Sequence, residues 1–274
     1  MTIDSPYPDL DELLTMIGEA GHRMSEIDAT EGAAGNISVY AGWAIEPRRK
    51  FPVVETISLP EPVPHLAQKG FLVTGSGRRL REIIQDPTLH LGYIVVDQGG
   101  TTAQHFSSPQ RRYVRLTSEL NSHLAIHQDA ITRSNTNFHV VMHVQPPYLT
   151  YLSHVPAYRN ERYLNQHVLR WEPESIVQLP DGIGHIQFNV PGSTAQSAAT
   201  LESLRHHRIS IWGKHGVIAC SELSIKRASD LIEYAETGAK YEYMNLAVQN
   251  QGEGLTVEEI RAICAAFHVT QSIF

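Results

Sequence analysis

The chain has 274 residues, with 29 acidic against 22 basic side chains and a formal charge of −7. A chain of that size buries a full core without disulfides, and 42% hydrophobic against 19% charged residues is too apolar for disorder. The acidic balance argues against a nucleic-acid partner, which normally meets a basic face. Cys220 and Cys264 stand far apart with no CxxC pattern, so they give no thiolate metal site and fit a reducing compartment. The start of the chain is acidic and contains prolines, unlike a secretory signal. No apolar run nears the roughly 18 residues needed to cross a bilayer. A cytoplasmic protein with no membrane partner is expected. The unusual count is fifteen histidines, a residue suited to metal ligation and to proton transfer near neutral pH.

In chain order, Leu10, Leu13, Leu14, Ile17, Ala20 and Met24 recur at helical spacing, and Asp9 is placed to cap the helix they predict. Residues 36–40 read as a strand after the turn at residues 31–35. Residues 47–64 carry five prolines and read as a surface excursion. Residues 71–73 read as a short strand that runs into Thr74-Gly75-Ser76-Gly77, with a helix expected over 78–84 and a strand over 93–96. Thr117 or Ser118 would cap a helix reaching about His127. Residues 140–144 form a β-branched run, followed after Pro146-Pro147 by a helical 148–153. Residues 209–212 and 217–219 suggest a hairpin. Ile225, Ala228, Leu231, Ile232, Ala235 and Ala239 share one face of a long helix, and Thr256-Val257-Glu258-Glu259 is a capping box for the last one. Strands and helices interleave throughout, so residues 1–274 read as a single α/β domain. The short, loop-joined strands favour a mainly antiparallel sheet.

Three segments have the make-up of an anion site: Gly35-Asn36, Thr74-Gly75-Ser76-Gly77 and Thr117-Ser118. Free backbone N–H groups and small hydroxyls near a helix start attract negative charge. None matches a P-loop or dinucleotide fingerprint. His143 and Gln145 lie two apart at a strand end, on one face and about 6.6 Å apart along the strand. Two such side chains can converge on one ion, and His215, in a turn after another strand, is placed to be a third ligand. Glu119, just inside a helix start, is the candidate acid/base. His123, His127 and His139 read as structural or pocket-lining, since His139 and His143 are about 13 Å apart along a strand.

Together these segments resemble the class II sugar-phosphate aldolases, and within them the rhamnulose-1-phosphate branch. The motifs are Gly35-Asn36-Ile37-Ser38-Val39, Thr74-Gly75-Ser76-Gly77, Thr117-Ser118-Glu119-Leu120, Val141-Met142-His143, Pro180-Asp181-Gly182-Ile183-Gly184, Val190-Pro191-Gly192 and Lys214-His215-Gly216-Val217, in the family's order. The resemblance implies a three-layer α/β/α fold and a homotetramer with active sites at subunit interfaces. It implies a phosphorylated ketose substrate whose phosphate sits on Gly35, Asn36, Ser76, Gly77, Thr117 and Ser118. Glu119 would be the acid/base, Glu174 would reach the neighbouring subunit's site, and His143 and His215 would hold a divalent metal, zinc above others. Cleavage would give dihydroxyacetone phosphate and a short hydroxyaldehyde such as L-lactaldehyde.

The family reads His-x-His where this chain has His143-Val144-Gln145. An amide oxygen is a neutral and harder donor than imidazole, so an altered metal site is expected, with another divalent ion or a lost metal as the other outcomes. Ala33 also replaces an Asn near the substrate. The competing readings are a metal-free binding or assembly module, as in adducin-like heads, and a pentulose-phosphate 4-epimerase.

Overall fold

The computed structural model describes residues 2–274. Nine strands form one sheet: β1 (Asn36–Ala41), β2 (Val53–Ser58), β3 (Gly70–Thr74), β4 (Leu91–Val96), β5 (Thr102–Ser107), β6 (Phe138–Val144), β7 (Gly184–Ile186), β8 (Ile209–Trp212) and β9 (Gly216–Ser221). Their order across the sheet is β2-β5-β4-β3-β1-β6-β9-β8-β7. Every pairing is antiparallel except that of β7 with β8. The helices are α1 (Leu10–Glu26), α2 (Pro87–His90), α3 (Leu120–Ser134), α4 (Pro147–Leu152), α5 (Glu161–Val168), α6 (Pro173–Gln178), α7 (Thr194–Leu204), α8 (Ile225–Ala247) and α9 (Val257–Phe267).

Strand alternation sorts the two faces of the sheet. Ile37 and Val39 of β1, with Val140, Met142 and Val144 of β6, join one core with the apolar stripes of α1, α4 and α8. Tyr40 and Val141 point the other way, into cores shared with α3 and α7. The result is a helix–sheet–helix sandwich. Each fully buried Leu, Ile or Val contributes about 1.5–3 kcal/mol, so the two faces together anchor the sheet on which the polar residues sit.

The ends of α1 and α9 follow the sequence closely. Asp9 accepts from the Glu12 backbone at 2.9 Å while Glu12 accepts from the Asp9 N–H at 2.8 Å, and Thr256 with Glu259 repeats the arrangement. Three expectations differ. Residues 78–84 form only a single 3₁₀ turn, Leu80–Glu82. Its backbone is pressed on α1, where a Cβ on Gly21 would lie 2.6 Å from the Leu80 carbonyl oxygen. The proline-rich 47–64 stretch contains β2, an edge strand, which is where neighbouring prolines are tolerated. At α3 the cap position falls on Glu119 and no side chain caps it. The Thr117 hydroxyl instead accepts from the Glu119 N–H at 3.3 Å, leaving the Glu119 carboxylate free to face the sheet.

Candidate active site and metal centre

The site lies where β1, β6 and the β8–β9 turn meet the start of α3. Asn36 and His143 are direct partners across β1 and β6. They lie on the same side of the sheet as Ser38 and His139, the side that α3 covers. The turn between β8 and β9 holds Lys214 in the left-handed region at φ 63°, and the Lys214 N–H donates to Ser153 Oγ at 2.7 Å. This fixes the next residue, His215, against the sheet.

Glu119, His143 and His215 converge. His143 Nε2 is 3.7 Å from Glu119 Oε2, and His215 Nε2 is 3.8 Å from Oε1. One donor atom from each of the three lies within 4.8 Å of the others. His143 donates its Nδ1–H to the Val217 carbonyl at 2.8 Å, so its Nε2 lone pair is the atom left to meet an ion. The His215 Nδ1 is buried without a partner. Trp212 lies against both rings, 4.5 Å from His143 and 5.3 Å from His215 between centroids, and donates its Nε1–H to Thr200 Oγ1 at 2.8 Å. Two imidazoles and a carboxylate in a mostly buried pocket suit a divalent transition metal.

Gln145 follows the last residue of β6. A side chain at Gly216 would bring its Cβ to 3.0 Å from both Gln145 Cγ and His143 Cε1. Residue 145 therefore turns toward the same space as His143, and Gly216 keeps that space open.

Charges at the site are set by burial and by each other. Burial alone would raise the Glu119 carboxyl, but the neighbouring His143, the Asn36 amide, His215 and His123 together hold it below the ordinary value. Burial and the nearby His143 push His215 down to about 4, against the opposing pull of Glu119. Near neutral pH the site thus presents an ionised carboxylate beside an uncharged His215 imidazole, which is the ligand form.

The three anion-site segments are strapped together beside this cluster. The Thr117 N–H donates to the Thr74 carbonyl at 3.0 Å, the Ser76 N–H to the Arg115 carbonyl at 2.9 Å, and the Ile37 N–H to Thr74 Oγ1 at 3.1 Å. Gly35 adopts φ 92°, and a Cβ there would lie 3.1 Å from the His143 carbonyl oxygen. Gly77 adopts φ 70° with open space above it. Ser118 is exposed while Thr117 is buried, and Ser118 abuts Gly192 of the Val190-Pro191-Gly192 loop, which Asn121 ties down through the Gly192 carbonyl at 2.9 Å. Asn36 differs from a simple phosphate ligand. Its amide donates to Glu119 Oε2 at 2.7 Å and its carbonyl faces His123.

Glu174 does not join the cluster. It is exposed on α6, a helix packed on α8 and α9. Sequence reasoning missed Trp212 and the way Ser38 joins His123, His127 and His139, three histidines expected to be structural or pocket-lining, into one connected run. The i,i+4 spacing of His123 and His127 was the run's only local signal.

The Class II Aldolase and Adducin N-terminal domain family matches residues 16–243. The chain belongs to that family. A rhamnulose-1-phosphate aldolase of Yersinia pestis (strain Pestoides F) is 31% identical over 245 residues, 88% of each chain. One from Enterobacter sp. (strain 638) is 30% identical over 214 residues, covering 78% of this chain and 76% of that one. Among solved structures, a sugar-phosphate aldolase from Thermotoga maritima superposes with a TM-score of 0.73 at 24% identity, covering 87% of this chain and 97% of that one. An L-fuculose 1-phosphate aldolase gives 0.57 at 19% identity, covering 97% and 100%. The α/β/α architecture is thus that of class II aldolases. No helix among the described residues is long and apolar enough to cross a membrane.

Proposed function

We propose that the chain is a metal-dependent lyase that cleaves a ketose 1-phosphate of the rhamnulose 1-phosphate kind. The products would be dihydroxyacetone phosphate and a short hydroxyaldehyde such as L-lactaldehyde. The observation that carries this is the placement of an ionised, buried Glu119 within 4 Å of His143 and His215, beside three strapped loops with the make-up of a phosphate cradle. Rhamnulose-1-phosphate aldolases about 30% identical over most of the chain support the substrate class.

His143, His215 and Gln145 would hold the ion, with zinc the expected metal because imidazole donors dominate the set. When bound, a divalent cation polarises the ketone oxygen and lowers the cost of negative charge next to it. The chain's own residues do the rest. Gly35, Ser76, Gly77, Thr117 and Ser118, with the second N–H of the Asn36 amide, would grip the phosphate and so fix the reacting carbons, which converts binding energy into orientation. As the C3–C4 bond breaks, its electron pair stays with C3 while the C4 hydroxyl would pass its proton to Glu119 and become the aldehyde. Glu119 is the group that exchanges the proton at C3. Trp212 and the buried wall of β6 and β9 keep water from the cluster. We place the enzyme in the cytoplasm as a homotetramer whose sites lie between subunits, with Glu174 serving a neighbouring site.

The test is release of dihydroxyacetone phosphate from rhamnulose 1-phosphate by metal-loaded protein. Glu119→Gln should lower kcat about 10²- to 10⁴-fold, the usual contribution of a positioned acid/base. If wild-type protein supplied with zinc, manganese or cobalt releases no dihydroxyacetone phosphate from any ketose 1-phosphate, the lyase reading fails.

A further inference from the structure

A continuous line of buried polar groups leads away from Glu119 into the space between β1, β6 and α3. Asn36 Nδ2 meets Glu119 Oε2 at 2.7 Å. Asn36 Oδ1 meets His123 Nε2 at 2.5 Å, and His123 Nδ1 meets Ser38 Oγ at 2.6 Å. Ser38 Oγ meets His127 Nε2 at 2.8 Å, and His127 Nδ1 meets His139 Nδ1 at 2.9 Å. His123 and His127 are wholly buried, and His139 nearly so. The far end, His139, lines a cavity of about 210 Å³ between α3, α7 and β9.

The direction of every bond is forced. An ionised carboxylate only accepts, so Asn36 must offer it an N–H, which turns the Asn36 carbonyl toward His123. His123 must then carry its proton on Nε2. Burial holds this imidazole uncharged, with its pKa down to about 4, so Nδ1 is an acceptor and Ser38 donates its hydroxyl proton to it. The Ser38 oxygen in turn accepts from His127 Nε2–H. His127, also kept neutral by burial, accepts at Nδ1 from His139 Nδ1–H. Five bonds therefore all donate toward Glu119. An amide does not pass a proton along, so Asn36 prevents the line from being a proton wire. What the line can do is hold one atom in place.

We propose that Ser38, His123, His127 and His139 are positioning residues that lock the Asn36 amide in the orientation that donates to Glu119. This rests on the reading of Glu119 as acid/base. A flipped Asn36 would face the carboxylate with its own carbonyl, and a free one would let the carboxylate rotate away from the substrate carbon. Aligned donors also polarise one another, so a break far from Glu119 is felt at the carboxylate. The cavity lined by His139 places the start of the line near the surface.

The ring tautomers test this without any substrate. Nitrogen-15 spectra of histidine-labelled protein should show the proton on Nε2 in His123 and His127 and on Nδ1 in His139. Any of the three found in the opposite tautomer, or doubly protonated at neutral pH, overturns the proposal whether or not the protein is active. Ser38→Ala cuts the line by removing one oxygen. The Asn36 side-chain N–H should then exchange with solvent about tenfold faster or more, the loss expected for roughly one hydrogen bond's worth of stability. His139→Leu should give a smaller change in the same direction, and His139→Asn, whose amide nitrogen can stand in for Nδ1–H, should restore most of it. In assays of dihydroxyacetone phosphate release, Ser38→Ala should lower kcat about tenfold, about 1.4 kcal/mol, with KM within about twofold. Unchanged Asn36 exchange in a folded Ser38→Ala protein overturns the positioning role. A wild-type protein with the expected tautomers but no activity defeats the lyase reading alone.

Discussion

Residue 145 concentrates the chemistry of a single substitution. Its side chain and His143 crowd the same point above Gly216, yet it offers an amide oxygen where the class II aldolase pattern has imidazole. An imidazole is the better donor for a borderline ion such as zinc. Gln145→His should therefore raise zinc affinity about tenfold or more, measured by competition with a chromophoric chelator. Unchanged affinity would mean that residue 145 does not face the ion. The residues that bear on this were legible unevenly in the sequence. His143, Gln145 and His215 stand at strand ends, where spacing hints at convergence. That Ser38 and His139 belong to one connected run was not legible, because it depends on the β1–β6 register that pairs Ser38 with Val141 and Tyr40 with His139, and register is not local information.

At the scale of elements, the helices with a strong apolar stripe and capping residues were readable. α1, α8 and α9 fall where periodicity and caps put them. β5 was not, because its inward positions are Ala103, His105 and Ser107, two of them polar and satisfied only by tertiary partners such as Glu55 and Arg111. α7 escaped for a similar reason, being built of small and polar residues without a clear apolar face. One element contact carries a pH signature. Glu236 of α8 accepts from the Tyr148 and Leu149 N–H groups at 2.8 and 2.9 Å, clamping the start of α4. Burial raises its pKa to about 7 from 4.5, against the pull of those two donors and Lys240. A group whose pKa is higher folded than unfolded favours the fold while protonated. Its contribution is full below about pH 4.5 and is lost as pH rises through about 7. The shift corresponds to roughly 3 kcal/mol across that window. Relative to Glu236→Gln, wild-type stability should fall between pH 5 and pH 8, read as denaturation midpoints in urea. Parallel pH profiles for the two proteins would show that Glu236 stays ionised throughout.

At the scale of the whole molecule, the cluster of Glu119, His143 and His215 comes from one chain, whereas Glu174 stands exposed on a different helix. If Glu174 serves a neighbouring subunit, two crippled chains can rescue each other. Glu119→Gln leaves Glu174 intact, and Glu174→Ala leaves Glu119 intact. In a cyclic homo-oligomer assembled from an equal mixture, each site draws Glu119 from one subunit and Glu174 from the next. About one site in four then receives both native residues, because each of two independent choices is right half the time. Co-expressed Glu119→Gln and Glu174→Ala chains should thus regain about a quarter of wild-type activity, while each variant alone stays near zero. Light scattering on the same preparation should give four times the chain mass. If Glu174 acted within its own chain, no subunit in the mixture would hold both residues and activity would stay at background. A Glu174→Ala protein as active as wild type would remove Glu174 from the site altogether.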